Sequence, residues 1–446
     1  MNHDEISRIY ERHYNPTLAL LFDMAKCPIE ARANGAYVYD DKGDAYLDFA
    51  AGYGVFSVGH ANPRVQEAML QQLERMATSP GLAYHEPAAE LVAKLGTVLP
   101  PELQRIFLCG SGSEAVEIAL RIAGLAKPER TRLIAVNHGF HGKTLGATGV
   151  CGQSYLREPF EPIWGDVRFV PYGDIAAMKA AIGEGASAVL VEAVLGGGFI
   201  TVAPPGYLAE LRKLCDATGT LLVIDEVQTG FGRTGKMFAI EHDGVVPDIL
   251  ILSKGMTGGH VSMAAAVVRD SVLASLPGGD RDPFAYSSDT AGSPISCAAA
   301  VAALTFIIDE KLPAAAAKNG PYLQEGLRKA SEKFPSLGLG APGIGLMTGL
   351  KLRNNMVENA LWLQMLKRKV ITGLSTNPAT PTPVMRFFAP LTVQRPEIDL
   401  ALAALDESLR ELDRFPGILL DLANQAAKIQ FHLPKPMLRG ILKALS

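Results

Sequence analysis

At 446 residues, with 48% hydrophobic and 20% charged, the chain has the balance of a packed globular protein and room for one large domain plus a smaller one. A net charge of −4 offers no general attraction to nucleic acid, and five cysteines (Cys27, Cys109, Cys151, Cys215, Cys297) with no CxxC pair and no even framework point to reduced thiols in a cytoplasmic protein. The start MNHDEISRIYERHY is too polar for a signal peptide, and the longest apolar run, 295–308, carries Ser, Cys and Thr and falls short of a membrane span, so no membrane insertion is expected.

In chain order, residues 1–30 read as amphipathic helix broken at Pro16. Segments 36–40 and 45–49 alternate around DDKG (40–43), a hairpin signature. The glycine-rich AGYGVFSVGHANP (51–63) follows, and Pro63 opens a helix to about Met76. A second helix, 86–99, is closed by Pro100 and Pro101. A short strand, 105–109, turns through GSGSEA (110–115) into a helix over 114–126. Glycines at such a turn let backbone N–H groups approach an anion, and a helix N-terminus favours negative charge, so this is a phosphate site on physical grounds. Glu114 and Glu117 would repel a phosphate if they faced it and are expected to point away. GSGSEA also fits a dinucleotide fingerprint, but the next strand, 133–136, ends in Asn137 and His138 rather than the acid a ribose needs. In the loop NHGFHGKTLGA (137–147), His138 and His141 are spaced HxxH without an evident third ligand, which favours a hydrogen-bonded active-site loop over a metal site.

Strand 188–192 ends in Glu192 and leads to LGGGF (195–199); a helix over 205–218 then leads to LLVIDEVQTGFGRTG (221–235). The rest of the chain is organised around this last stretch. Leu221 to Ile224 reads as a buried strand of a parallel sheet, closed by Asp225 and Glu226. Glu226 is read as a partner of Arg233 or of a nearby backbone group. Twenty-nine residues beyond Asp225, Lys254 closes a second apolar run, DILILSK (248–254). Ligands of open α/β sheets bind at the carboxyl ends of strands. An acid that can pair with a pyridinium nitrogen and a lysine that can form a Schiff base, each ending a strand, are what pyridoxal phosphate chemistry needs. Segment 261–268 is a further strand, and strand–helix alternation over roughly 105–310 argues for an α/β class with a doubly wound, mostly parallel sheet. Beyond 311, a helix, a Gly/Pro turn (338–345), a strand (346–352), a helix, a strand (385–388) and a helix suggest a smaller α+β domain with which the N-terminal hairpin packs. The expected division is 1–60 with the small domain, 61–310 as the large cofactor-binding domain, and 311–446 as the small domain with a helical tail. In the tail, 416–446, Lys428, Lys435, Arg439 and Lys443 lie in an amphipathic pattern, read as a surface-packed helix with a docking surface for an acidic partner as the alternative.

YLDFAAGYG (46–54) with GH (59–60), SGSEAVEIAL (111–120), FHGKTLGA (140–147), DEVQTGFGRTGK (225–236), PDILILSKG (247–255) and RFFAPLT (386–392) occur in one order between about Tyr37 and Leu409. Together they resemble the class III pyridoxal-phosphate-dependent aminotransferases, with wording nearest the putrescine, ornithine and acetylornithine group. The resemblance implies fold type I, with a large domain on a mostly parallel seven-stranded sheet and a small α+β domain built from both termini. It also implies pyridoxal 5′-phosphate as cofactor and a homodimer with interfacial sites. Residue by residue, it implies Lys254 as the Schiff-base lysine, Asp225 for the ring nitrogen and Gln228 for the ring 3-oxygen. Gly112 and Ser113 would hold the phosphate, Phe140 and Val227 the two ring faces, Glu192 a place beside the ring, and Arg386 a substrate carboxylate. Tyr53 and Tyr84 are candidate pocket walls, or simply packing.

Two departures stand out. Where the family writes EPxQGEGG this chain has EAVLGGGF (192–199), so the second Glu, which in several members pairs with the carboxylate-binding arginine and swings it aside, falls on Gly197. In YSSDTAGSP (286–294), Asp289 stands where the family lends a Thr to the other subunit's phosphate, and Thr290 or Ser288 is taken to serve instead. The expected activity is ping-pong transfer from a terminal primary amine, a diamine or long-chain amine, to a 2-oxo acid. An α-amino acid donor to an aldehyde or ketone, and racemase, decarboxylase or aminomutase chemistry on the same scaffold, are the alternatives.

Overall fold

The computed structural model describes residues 1–81, 83–163, 165–276, 292–375, 380 and 382–415. Its central sheet has seven strands in the spatial order Leu103–Cys109, Ala264–Arg269, Ile249–Leu252, Leu221–Asp225, Ala188–Glu192, Leu133–Val136, Val167–Val170. Ala264–Arg269 is antiparallel to both neighbours, and every pairing from Ile249–Leu252 to Val167–Val170 is parallel. The apolar runs are unbroken because both faces of the sheet are covered. Leu222 and Ile224 pack into one hydrophobic cluster with Leu250, Leu252, Val189 and Val191. Leu221 and Val223 pack into another with Ile249, Ile251, Ala188 and Leu190, which also holds Ala115, Val116, Ile118 and Ala119 of helix Gly112–Ala126. Each fully buried Leu or Ile contributes about 1.5–3 kcal/mol by leaving water.

The same two-residue period positions chemistry. Asp225 follows Leu221 and Val223 onto the face that helix Gly112–Ala126 covers. Glu192 is the register partner of Asp225 on the adjacent parallel strand, so the two acids stand side by side at the carboxyl edge.

The DDKG hairpin forms as expected. Tyr37–Asp40 pairs antiparallel with Ala45–Phe49, and Asp40 Oδ1 accepts the amides of Lys42 (3.0 Å) and Asp44 (2.8 Å) to hold the turn. Ala45–Phe49 then pairs in parallel with Val370–Thr372, bringing the N-terminal hairpin against a strand from beyond residue 311. Gly338–Gly340, Gly343–Ile344, Met347–Leu352 and Val384–Phe387 make a separate antiparallel sheet against helix Leu312–Lys333. Segment 338–345, expected as a turn, therefore holds two short strands: Gly340 (φ +133°) and Gly343 (φ +149°) double the chain back between them. The helix expected over 1–30 is broken at Pro16 as read: His3–Ile9 runs into a π turn at Tyr10–Tyr14, and Pro16–Ala25, capped by Asn15, is a second helix that ends before strand Glu30–Asn34. No helix among the described residues is long and apolar enough to cross a membrane. The tail over 416–446 lies outside the described residues.

Candidate active site

Asp225 and Glu192 are both buried, and each is held by its own donors. Asp225 Oδ2 lies 2.9 Å from His141 Nδ1, and Oδ1 accepts the Val227 amide at 2.9 Å. Glu192 accepts the amides of Phe140 and Gly196, each at 2.9 Å. Burial pushes the Glu192 carboxyl up to about 7, against the pull of His141 and those two amides. The HxxH pair thus separates: His141 orients Asp225, whereas His138 packs at a tilt against Phe199 with ring centroids 4.6 Å apart. Glu226 takes the second option read for it. It accepts the backbone amides of Ala239 (2.7 Å) and Ile240 (2.8 Å) and the hydroxyl of Thr229 (2.9 Å), and it makes no pair with Arg233.

Lys254 opens a tight turn, Lys254–Thr257, with its own backbone in the left-handed region (φ +43°). Its Nζ donates to the Tyr53 carbonyl at 3.1 Å, and Gln228 Nε2 donates to the same oxygen at 3.2 Å. The 51–54 loop can present that carbonyl because Gly52 and Tyr53 are both left-handed (φ +58° each). Burial and the neighbouring Arg386 bring the Lys254 amine down to about 8, opposed by Asp225 and Glu192. A lysine that gives up its proton this much more readily than usual is the better nucleophile and base near neutral pH.

The expected phosphate turn is the N-terminus of helix Gly112–Ala126, capped by Ser111, whose Oγ accepts the Glu114 amide at 3.3 Å. Glu114 folds back to accept the Gly110 amide at 3.0 Å, and Glu117 accepts the Ala147 amide at 3.2 Å, so each carboxylate has a donor of its own. Gly112 is glycine for a packing reason: a Cβ there would stand 3.0 Å from Val227 Cγ2 and 3.5 Å from Ser253 Cβ. That close approach sets the helix N-terminus against the residues that follow Asp225 and precede Lys254. Ser113 Oγ accepts the Lys143 amide at 3.2 Å.

Arg386 lies in strand Val384–Phe387, 4% exposed, with its Nε and Nη2 unpartnered among the described residues. Its guanidinium carbon stands 4.7 Å from the Tyr53 ring centroid, and the Tyr53 hydroxyl donates to the Leu374 carbonyl at 3.2 Å. Burial lowers the proton affinity of Arg386, against Tyr53, Glu358 and Glu192. Gly197 does more than lack an acid. A Cβ there would lie 2.6 Å from Phe140 Cβ and 2.7 Å from Gln153 Nε2, so the local backbone excludes a side chain.

Lys254, Asp225, Gln228, Val227, Tyr53, Glu192, Phe140 and Arg386 are thus linked through these contacts, with Gly112 and Ser113 alongside. Tyr84 is the exception: it is fully exposed, on the irregular stretch before helix Glu86–Gly96, so one chain offers it no pocket to line. Ser288, Asp289 and Thr290 lie outside the described residues. Two buried groups escaped the sequence reading, His141 as the partner of Asp225 and Glu358, 1% exposed, near Arg386. Buried polar atoms are normally paired, so the free Gln228 Oε1 and the free Arg386 nitrogens mark a place shaped for a polar ligand. A fixed carboxylate, a lysine of lowered proton affinity and an anion-ready helix end are the donor set that pyridoxal phosphate requires.

Residues 23–409 match the family model described as aminotransferase class-III. The chain is 38% identical over 376 residues to an acetylornithine aminotransferase of Methanopyrus kandleri, covering 84% of this chain and 92% of that one. Its structure superimposes on the ornithine aminotransferase of Toxoplasma gondii with a TM-score of 0.84 at 27% identity, over 93% of this chain and 96% of the other. An amine transaminase from an uncultivated Pseudomonas species, solved in its PLP-bound form, matches with a TM-score of 0.79 at 28% identity, over 86% and 95% of the two chains. The chain therefore belongs to the class III aminotransferases, fold type I enzymes that use pyridoxal phosphate to move an amino group between an amine donor and a keto acid.

Proposed function

We propose that this aminotransferase takes the amino group of a terminal primary amine and delivers it to a 2-oxo acid in two successive half-reactions. The observation that carries this reading is Arg386, a buried guanidinium with two nitrogens that have no partner among the described residues, and no acid at position 197 to mask it. Such a group is suited to anchoring the oxo acid's carboxylate by a bidentate pair. The donor needs to bring only its amine end to Lys254, in keeping with the names of the acetylornithine, ornithine and amine transaminases that the chain resembles.

Pyridoxal phosphate, when bound, supplies an aldehyde to capture the amine and a ring that accepts the electrons released at the substrate carbon. The protein's share falls to a few side chains. Lys254 would hold the cofactor and, as a free amine, would carry the proton taken from the substrate carbon; its value of about 8 leaves it a usable base near neutral pH. Asp225, fixed by His141 and the Val227 amide, favours the protonated ring nitrogen. Gln228 would serve the ring oxygen, the amides of Gly112 and Ser113 with the helix dipole would hold the phosphate, Phe140 and Val227 would enclose the ring, and Glu192 holds the Phe140 amide in place. We take the working form to be a homodimer, supported by exposed Leu70, Leu73 and Met76 near the end of one helix, a short run from exposed Tyr84.

A panel of diamines, alkyl amines and α-amino acids, each offered with pyruvate or 2-oxoglutarate while oxo acid consumption is followed, tests the reading. Turnover with diamines or alkyl amines is the expected result. Turnover with α-amino acids alone would overturn the donor assignment, since the free Arg386 would then be serving an α-carboxylate in both half-reactions.

A further inference from the structure

The three glycines at 196–198 form a length of backbone held by side chains from outside it. Glu192 accepts the Gly196 amide at 2.9 Å. Gln153, 4% exposed, donates through Nε2 to the Gly197 carbonyl at 2.5 Å and accepts the Tyr155 hydroxyl at 2.9 Å. Ser375 Oγ donates to the Gly198 carbonyl at 3.2 Å, and the Gly196 carbonyl takes the Gly198 amide at 2.9 Å. Each carbonyl of the three glycines therefore already has a donor. The loop also spans the site. A Cβ at Gly196 would lie 1.6 Å from Gln228 Oε1 and 3.1 Å from Met347 Cε. At the other end, Ser375 follows Leu374, whose carbonyl accepts the hydroxyl of Tyr53, and the Tyr53 ring lies beside the Arg386 guanidinium. The glycines thus run from the residues that suit the cofactor ring to those around Arg386. Gly197 and Phe199 are only half-buried, so this stretch keeps an open side.

Resting on the transaminase reading above, we propose that this glycine loop is the wall along which the carbon chain of the donor lies, that Gln153 is the positioning residue that keeps the wall free of unpaired polar groups, and that the preferred donor is a primary amine with an uncharged hydrocarbon chain rather than a diamine. Glycines present carbon and paired amides but no side chain. The residues around them add apolar surface: Met347 and Ile200 pack together behind the loop, and Phe199 continues it. A second ammonium on such a wall would leave water without a counter-charge, which is costly unless it is paired. The acids that border the loop do not offer that pairing. Glu192 has one oxygen on the Phe140 amide and the other on the Gly196 amide. Glu358, 1% exposed, accepts the Ser375 amide at 2.6 Å, and burial pushes its carboxyl up to about 8, so near neutral pH it carries a proton rather than a charge. An alkyl chain needs no partner and gains by leaving water.

The test compares kcat/KM of the holoenzyme for butylamine, pentylamine and hexylamine with that for putrescine, cadaverine and hexamethylenediamine, with pyruvate or 2-oxoglutarate as acceptor. In the monoamine series kcat/KM should rise about fourfold for each added methylene. Each diamine should fall about tenfold or more below the monoamine of the same length. A diamine that matches or exceeds its monoamine, or a monoamine series that is flat in chain length, would overturn the inference and leave the transaminase reading intact. Turnover with α-amino acids alone would overturn the donor reading and this inference with it. Gln153→Glu then tests the wall itself. The variant is nearly isosteric, but its carboxylate cannot donate to the Gly197 carbonyl and sets a negative charge behind it. The ratio of kcat/KM for a diamine over that for the monoamine of equal length should rise about tenfold. Gln153→Met releases the carbonyl without adding charge and should move the same ratio in the same direction by a smaller factor. A ratio unchanged in both variants, or losses that fall equally on both amines, would mean that Gln153 only supports the fold and would overturn its assigned role.

Discussion

His141→Phe would remove the hydrogen bond on Asp225 Oδ2 and leave the Val227 amide on Oδ1. The carboxylate would then be free to turn. Misplacing a catalytic group by about an ångström costs on the order of 10²-fold, so kcat should fall by that order with the protein still able to load cofactor. Steady-state kinetics beside the visible spectrum of the loaded protein would separate lost turnover from lost cofactor. Gly197→Glu makes a different point. It restores the residue type the family carries, but its Cβ would lie 2.6 Å from Phe140 Cβ, so we expect overpacking that costs about 1–3 kcal/mol in a denaturant titration rather than a restored switch. Asp225 and Lys254 were legible in the sequence because each closes an apolar run, and a strand end is a position that chain order alone specifies. His141 was legible only as a loop residue. Its bond to Asp225 spans 84 residues and depends on which strands neighbour one another. Glu358 was not legible at all, since nothing in NNMVEN marks a glutamate that a fold will bury.

Elements with a strong local signal were read almost to the residue. Strands Leu133–Val136 and Ala188–Glu192 are unbroken apolar runs flanked by polar turns, the pattern of a sheet covered on both faces. Elements held by neighbours rather than by pattern went unread. Glu30–Asn34 is almost wholly exposed and exists because Tyr37–Asp40 offers it an edge. Val167–Val170 is a four-residue edge strand with an exposed arginine. Val370–Thr372 is three residues long and forms against the N-terminal hairpin. The helix at the phosphate turn rests on its cap. Ser111→Ala removes the oxygen that accepts the Glu114 amide, and a lost cap of this type costs about 1 kcal/mol. A urea titration of the cofactor-free protein should read that loss.

Across the whole molecule, the buried charges make stability depend on pH. Arg233, buried in the loop after Gln228, donates through Nη1 to the carbonyls of Ala389 (2.5 Å) and Leu346 (3.3 Å), pinning the central-sheet loop to the C-terminal part of the chain. Burial pushes Glu226 up to about 7 from its ordinary 4.5. A carboxyl raised on folding contributes stability that is fully present below about 4.5 and lost as pH rises through 7. Glu226→Gln cannot ionise; because the Ala239 and Ile240 amides bind different oxygens of Glu226, it keeps an acceptor for only one of them and loses the other at every pH, which leaves the pH dependence as the readout. The stability of E226Q relative to wild type should therefore improve between pH 5.5 and 8, read as the difference in urea midpoints at about those two values. A difference that stays flat would mean that Glu226 is not held as the acid in the folded protein.

Borohydride reduction of the protein loaded with pyridoxal phosphate, followed by peptide mapping, tests most directly the claim that the site works through Lys254. Reduction makes a lysine–pyridoxal linkage permanent. The account predicts the pyridoxyl group on the peptide bearing Lys254 and its loss in Lys254→Ala together with turnover. A label on another lysine, or full turnover in that variant, would contradict it.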